Sequence, residues 1–343
     1  MLKQVNDGTS FMNSKIITEL SHIDRKLWET LAQQSSTANI FQTPQMVDFY
    51  NSNGLYEIVI SALEVEDSLK GVIICLIQSE GKGLKRWVTS RGIINGGPMF
   101  ADDINEDEVA ALLCSIKEQL KRCCVYIESR NLNDYSKWRV LFEKYGFNYV
   151  PHYNFHIDTA SVELVEKRMD RGRRRRVKKS FENHVVVSED SSEVNGFYQI
   201  LKVLYKKKVH KPLPPFEFFD SLKNKPFAKY FIIKEPNGQI IGGQLILMLD
   251  HRCAYAWYCC GLDKEYHDLF PSIMANYVAI RYAAENGFLR YDMMGAGSPD
   301  KDYGVRDFKA QFGGDLVEHG RFLFLCKPFV YKIGSHVMKL LTK

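Results

Sequence analysis

Two pairs of long β-rich runs limit what this chain can fold into. Tyr56 to Glu66 and Leu69 to Ser79 are joined by Asp67-Ser68, and Ala228 to Glu235 and Ile240 to Asp250 flank Pro236-Asn237-Gly238. Each pair reads as an antiparallel hairpin. A hairpin alone cannot bury its apolar face, so each needs helices and further strands around it. After the first pair, Trp87 to Phe100 is extended and broken by a turn at Asn95-Gly96-Gly97-Pro98. Asn105 to Arg122 has helical spacing through Val109, Leu112, Leu113, Ile116 and Leu120. Val125 to Ser129 reads as a strand, Tyr135 to Tyr145 as a helix and Asn148 to Asp158 as a strand.

The second pair lies in a similar succession. Val162 to Phe181 reads as one long basic helix, Val185 to Ser188 as a strand and Ser192 to Lys208 as a helix. The connector Lys211-Pro212-Leu213-Pro214-Pro215 leads to a helix from Phe216 to Lys223. Beyond the hairpin come a strand from Arg252 to Cys260, a helix from Pro271 to Asn286 and a strand from Leu289 to Met294. The expectation is an α/β (α+β) chain of two domains, residues 1–157 and 158–343. Its 343 residues suffice for two cores. The end, Phe329 to Leu341, spaces Val330, Ile333, Val337, Leu340 and Leu341 as an amphipathic helix, fit for docking on a core or touching a membrane.

Chemistry concentrates in Tyr303-Gly304-Val305-Arg306-Asp307-Phe308-Lys309-Ala310-Gln311-Phe312-Gly313-Gly314, which follows the apolar strand ending Tyr291-Asp292-Met293-Met294-Gly295. Arg306 and Lys309 fall on one face of a short helix, Phe308 and Phe312 can anchor it, Gly313-Gly314 stops it, and Asp315 to Leu325 reads as a closing strand. Two cations held near a strand end suit an anionic group, although a solvated surface helix has the same pattern.

This stretch resembles the Phe-Lys-x-x-Phe-Gly signature of the FemAB/FemX family, which adds amino acids to peptidoglycan precursors from aminoacyl-tRNA. The resemblance extends over most of residues 15–325 and implies two GNAT-like acyltransferase domains in tandem. By it, Lys309 stabilises charge on the reacting carbonyl, and Tyr258 on the Arg252–Cys260 strand faces substrate. Asp292 sits where a carboxylate could take a proton from the amine, or could instead fix Arg306 or cap a turn. Arg306 and Tyr303 fall with Lys309 as substrate-binding candidates.

Net charge is a modest +5, unevenly spread. Arg168, Arg171, Arg173, Arg174, Arg175, Arg176, Lys178 and Lys179 crowd one helix, and Lys206, Lys207, Lys208, His210 and Lys211 form a second cluster. Such clusters attract polyanions, or are simply solvated. The resemblance implies that Arg175, Lys179 and Lys211 meet a nucleotide- or lipid-linked envelope precursor, or tRNA. The loop Gly261 to Ser272 holds one glycine and three acidic residues, a poor cradle for a coenzyme A diphosphate.

Other classes find little support. The chain contains no Walker loop, dinucleotide fingerprint, Gly-x-Ser-x-Gly or zinc spacing. His152 and His156 lie four apart without a third ligand, so no metal site is expected. Eight cysteines sit mostly in apolar runs with no disulfide spacing, and Met1 to Ser14 lacks the apolar core of a secretory signal. The resemblance implies a cytoplasmic acyltransferase that moves an aminoacyl or acyl group onto an amine of a cell-envelope precursor, either a peptidoglycan stem peptide or a nucleotide-linked amino sugar, with no tightly bound cofactor and aminoacyl-tRNA or acyl-CoA as co-substrate. Two alternatives stay open: an acyl-CoA-dependent N-acetyltransferase acting on an amino sugar of surface polysaccharide, and a non-catalytic module binding RNA or anionic lipid.

Overall fold

The computed structural model describes residues 14–209 and 212–341. The chain forms two compact units, one running to Val150 and resuming at Arg321, the other spanning Pro151–Gly320. The sequence expectation put the boundary at 157/158 and kept the chain end with the second unit.

In the first unit the strands are β1 (Ser14–Ile17), β2 (Glu57–Val65), β3 (Ser68–Gln78), β4 (Arg91–Gly96), β5 (Met99–Phe100), β6 (Tyr126–Asn131) and β7 (Asn148–Val150). The helices are α1 (Arg25–Gln34), α2 (Pro44–Asn53), α3 (Gly83–Thr89), α4 (Glu106–Leu120) and α5 (Arg139–Lys144). The second unit holds β8 (Tyr153–Asp158), β9 (Val186–Ser188), β10 (Ala228–Lys234), β11 (Ile240–Leu249), β12 (Cys253–Gly261), β13 (Arg290–Gly295) and β14 (Asp315–Glu318). Its helices are α6 (Val162–Arg168), α7 (Arg171–Glu182), α8 (Val194–Leu204), α9 (Phe216–Asp220), α10 (Pro271–Glu285) and α11 (Gly304–Ala310). The chain then returns to the first unit as β15 (Arg321–Leu325) and α12 (Pro328–Leu341).

Each unit is built on one sheet. The order is β1-β2-β3-β4-β6-β15-β7 in the first, with β5 beside β3, and β14-β8-β13-β12-β11-β10-β9 in the second. Two expected single strands are each cut in two. Asn148 to Asp158 breaks at Pro151-His152, where proline has no N–H to continue a ladder, so β7 and β8 join different sheets. Asp315 to Leu325 breaks at His319-Gly320, with Gly320 in the left-handed region at φ 61°. The Gly320 amide donates to the His152 carbonyl at 3.1 Å, which ties the two breaks together. This crossing carries β15 into the first sheet, where it pairs with β6 and β7.

The basic helix is also two. Asp170 interrupts it, accepts a hydrogen bond from the Arg173 amide at 3.1 Å and so caps α7. The helix before Lys208 ends in a π turn over Tyr205–Val209. In α12 the side chains of Val337, Leu340 and Leu341 lie outside the described residues, while Tyr331 meets the Tyr126 ring edge-on at 5.3 Å.

The parallel strand pair at the centre of each sheet differs. β4 and β6 stay in register from Arg91/Tyr126 to Gly96/Asn131. β12 and β13 pair only from Cys253/Arg290 to Tyr255/Asp292, then separate. A bulge at Trp257 turns β12 at that point, since Leu245 faces Tyr258 while Ile246 faces Ala256. One residue before the end of β13, Met294 is at φ 59°, a conformation rare for a side chain without a left-handed preference. The result is a wedge open toward the ends of both strands.

Candidate active site

Lys309 of α11 sits at the end of β13, on one wall of this wedge. Its ammonium donates to the carbonyls of Met293, Met294 and Gly295, the last at 2.8 Å. Burial pulls its pKa down to about 8, against the opposing pull of Asp292 and Cys259. A helix as short as α11 does not hold itself in place. Phe312 is fully buried, Phe308 is packed on the same core, and their rings lie 5.4 Å apart.

The two glycines after the motif are set by close approach. A Cβ on Gly313, at φ 80°, would lie 2.3 Å from the Arg168 carbonyl oxygen. One on Gly314 would lie 2.9 Å from that of His156. Only glycine lets the chain leave α11 across these backbones.

The guanidinium of Arg173 lies 4.5 Å from the Phe308 ring centre and 4.7 Å from that of Phe312. It donates to the Phe308 carbonyl at 3.2 Å and to Gln311 Oε1 at 2.8 Å. Arg173 is only 2% exposed, and burial, with help from Arg176, brings its pKa down to about 10.

Asp292 is 0% exposed, at the last position where β13 pairs with β12. One of its oxygens accepts from the Met294 amide at 2.6 Å, and the other lies 3.2 Å from His156 Nε2, off the line of a good hydrogen bond. Burial alone would raise its pKa, but His156, Arg290 and the Met294 amide together hold it below the usual carboxylate range. The His319 ring stands 4.9 Å from that of His156.

The remaining candidates fall in different places. Arg306 donates to the carbonyls of Ala296 and Ser298 and lies 5.1 Å from the Tyr153 ring centre, so it folds the 296–298 loop. Tyr303, 42% exposed, packs beside Gly297, where a Cβ would come within 2.9 Å of its ring. Tyr258 is half-buried among Phe219 at 5.0 Å, Trp257 at 5.2 Å and Tyr205 at 6.2 Å. Arg175 is exposed on α7, and Lys179 pairs with Asp268. Lys211 lies outside the described residues. The structure thus groups Lys309, Asp292, Arg306 and Tyr303 around the end of β13 and sets Arg175 and Lys179 on α7.

Three residues that the sequence did not assign to this site lie at it or beside it: His156, Arg173 and Asp263. Asp263 accepts from the Ser272 amide at 3.0 Å and from its hydroxyl at 2.5 Å, so a carboxylate already fills the N-terminal end of α10. Lys179 with Asp268, and Asn183 Nδ2 donating to the Asp268 carbonyl at 3.0 Å, fasten the same loop to α7. Cys259 beside the wedge is no ready nucleophile, because burial and Asp263 push its thiol up to about 12. The 173, 177, 180 spacing marks the buried face of α7, and it is the one sequence sign that could have separated Arg173 from its neighbours.

The FemAB family matches residues 217–339, a segment that contains the wedge and Lys309. Over that segment the chain is similar to FemAB proteins. Across 94% of its length it superposes on 99% of a crystal structure of FemX, with a TM-score of 0.71 at 15% identity. The structure of L-PGS from Bacillus licheniformis matches 89% of the chain over 92% of its own, with a TM-score of 0.56 at 12% identity. A tandem GNAT protein from the clavulanic acid biosynthesis pathway matches 92% of the chain over 99% of its own, with a TM-score of 0.55 at 8% identity. No curated protein matches the chain in sequence. The chain therefore has the tandem GNAT-type fold. Among the described residues no helix is long and apolar enough to cross a membrane.

Proposed function

We propose that this protein moves an aminoacyl group from tRNA to an amine of a peptidoglycan precursor, in the cytoplasm. The observation that carries this reading is the position of Lys309 at the open end of the β12–β13 wedge, inside the FemAB-matching segment. Beyond Tyr255 and Asp292 the facing edges of the two strands are not paired with each other, which suits an extended acyl donor lying between them.

In the proposed reaction the acceptor amine attacks the ester carbonyl carbon, forming the amide bond. The ester C–O bond breaks, and the tRNA hydroxyl leaves with a proton in place of the one the amine gives up. Negative charge gathers on the carbonyl oxygen in between, and a fixed cation in a site shielded from water stabilises it. Lys309 supplies that cation. Asp292 is sealed from solvent, so its carboxylate sets the charge around Lys309 and His156 rather than meeting the amine. Tyr258 and Tyr303 would border the substrate, and the exposed face of α7 at Arg175 would meet precursor or tRNA phosphates. The carboxylate of Asp263 at the start of α10 weighs against coenzyme A as donor in this unit, since a diphosphate would have to displace it.

Purified protein incubated with charged tRNA and nucleotide-linked muropeptide precursors should add one amino-acid mass to the acceptor. RNase should abolish the gain. A gain of one acetyl group from acetyl-CoA instead would replace this reading with the polysaccharide-modifying one. Binding of RNA or anionic vesicles with no transfer from either donor would favour the non-catalytic module.

A further inference from the structure

A buried arginine is a costly way to fill a core. Apolar residues of similar volume often serve as well or better, so a retained cation invites a reason. Arg173 is 2% exposed, and its Nε has no hydrogen-bond partner. Among its described hydrogen bonds the guanidinium donates to no carboxylate; it reaches the Phe308 carbonyl and Gln311 Oε1.

Those two acceptors identify what it holds. α11 has seven residues, too few to persist without outside support. Its last carbonyls have no partner inside the helix, and Phe308 contributes one of them. A cation at a helix C-terminus satisfies such a carbonyl and complements the local dipole. The flat guanidinium also lies against the rings of Phe308 and Phe312, the residues that flank Lys309 in the motif. A second link fixes the same end, because the Asp170 amide donates to the Gln311 carbonyl at 3.0 Å. Asp170 is the cap of α7 and binds the amide of Arg173 itself. The start of α7 and the end of α11 are therefore joined, with Lys309 on the joined helix.

We propose that Arg173 is a positioning residue that holds α11 so that the Lys309 ammonium stays among the carbonyls ending β13. For catalysis the inference rests on the transfer reading above; for the placement of Lys309 it does not. Arg173 touches neither substrate nor the reacting atoms. On this view the motif's aromatic pair provides the surface on which an arginine from another helix clamps the catalytic lysine.

The test titrates Lys309 in the purified full chain, by competitive labelling with acetic anhydride across pH and peptide mass spectrometry. Wild-type Lys309 should show a midpoint near 8. Arg173→Lys keeps a charge but loses the planar fork, and Arg173→Met loses both. In either variant the midpoint should rise toward the ordinary lysine value, because the amine leaves its shielded place. In the transfer assay kcat should fall, by about 100-fold for Arg173→Met, with KM retained. An unmoved midpoint in folded variants overturns the inference whatever the activity. A moved midpoint with undiminished kcat overturns it for catalysis. Should neither variant fold, Gln311→Ala removes one acceptor and should shift the midpoint less but in the same direction; no shift there also overturns it. The labelling needs no substrate, so a wild type inactive with aminoacyl-tRNA would sink the transfer reading alone.

Discussion

In the first unit β4 and β6 run paired to the end at Gly96 and Asn131, whereas in the second β12 and β13 part after Tyr255 and Asp292. The first unit closes the corresponding place with its own side chains. Asn39 donates to the carbonyls of Gly96 and Gly97 at 3.3 and 3.2 Å, and Gln42 bonds both the amide and the carbonyl of Ile74. Buried charge follows the same division. Glu128, beside Arg130 at 2.7 Å and Arg321 at 2.8 Å, is a closed ion cluster. In the second unit Lys309 is set among carbonyls, and Arg173 lies against aromatic rings. One plan thus yields a sealed unit and an open one. A cation not neutralised by a direct carboxylate partner keeps a field that a substrate can feel, whereas a neutralised cluster only holds strands together.

The largest expected effect tests the open side. Lys309→Met should lower transfer on the order of 100- to 1,000-fold, read as single-turnover rate, with secondary structure retained. An active Lys309→Met would remove the contrast between the units altogether. The same lysine sets a pH limit. Its folded pKa near 8 lies below the ordinary 10.5, so the needed cation, and the activity, should be lost as pH rises through about 8. Stability responds with the opposite sign: between those values the unfolded chain binds more protons, so the fold should gain stability with rising pH. Melting curves of wild type against Lys309→Met would show that gain in the wild type alone.

On the sealed side, Gly96→Ala should cost about 2–4 kcal/mol, because φ is +83° and the new Cβ would lie 2.0 Å from Asn39 Oδ1. Denaturant melts would measure the loss, while turnover per folded molecule should be unchanged. Lost turnover in a folded variant would mean that the first unit is also part of the reaction centre.

Glu128→Gln is the smaller change, costing about 1–3 kcal/mol by leaving two arginines without their carboxylate. Burial favours the protonated acid, yet Arg130 and Arg321 bring Glu128 down to about 2, so its contribution is present above 4.5 and lost as pH falls through about 2. The melting difference between wild type and Glu128→Gln should shrink over that range. A constant difference would show that the cluster is not what joins β15 to β6.

Much of the architecture was legible from pattern alone. Both hairpins form, the first turning at Glu66-Asp67, one residue before the expected Asp67-Ser68, and the second around Asn237-Gly238, because apolar runs on either side of turn residues specify pairing locally. The Lys309 motif was legible for the same reason, its aromatic and glycine spacing being short-range. The crossing at Pro151 and Gly320 was not. Strand propensity is continuous across both breaks, and which sheet receives each half depends on partners more than a hundred residues away. His156 was weighed only as a metal ligand because its neighbour Asp292 is distant in sequence, and Asp263 was missed because an acidic loop reads the same whether solvated or capping a helix. Arg173 was hidden in a run of like residues.

The amino-acid sequence by itself determined the hairpins, helices such as α4 and α10, and a lysine held between two aromatics before a double glycine. Those features rest on interactions between residues close along the chain, where periodicity and turn chemistry act. Only the tertiary structure decided which parallel pair opens, which arginine goes inside and what fills the start of α10. Each of those outcomes is a balance between burying a charge and finding it a partner, and the partners come from distant segments.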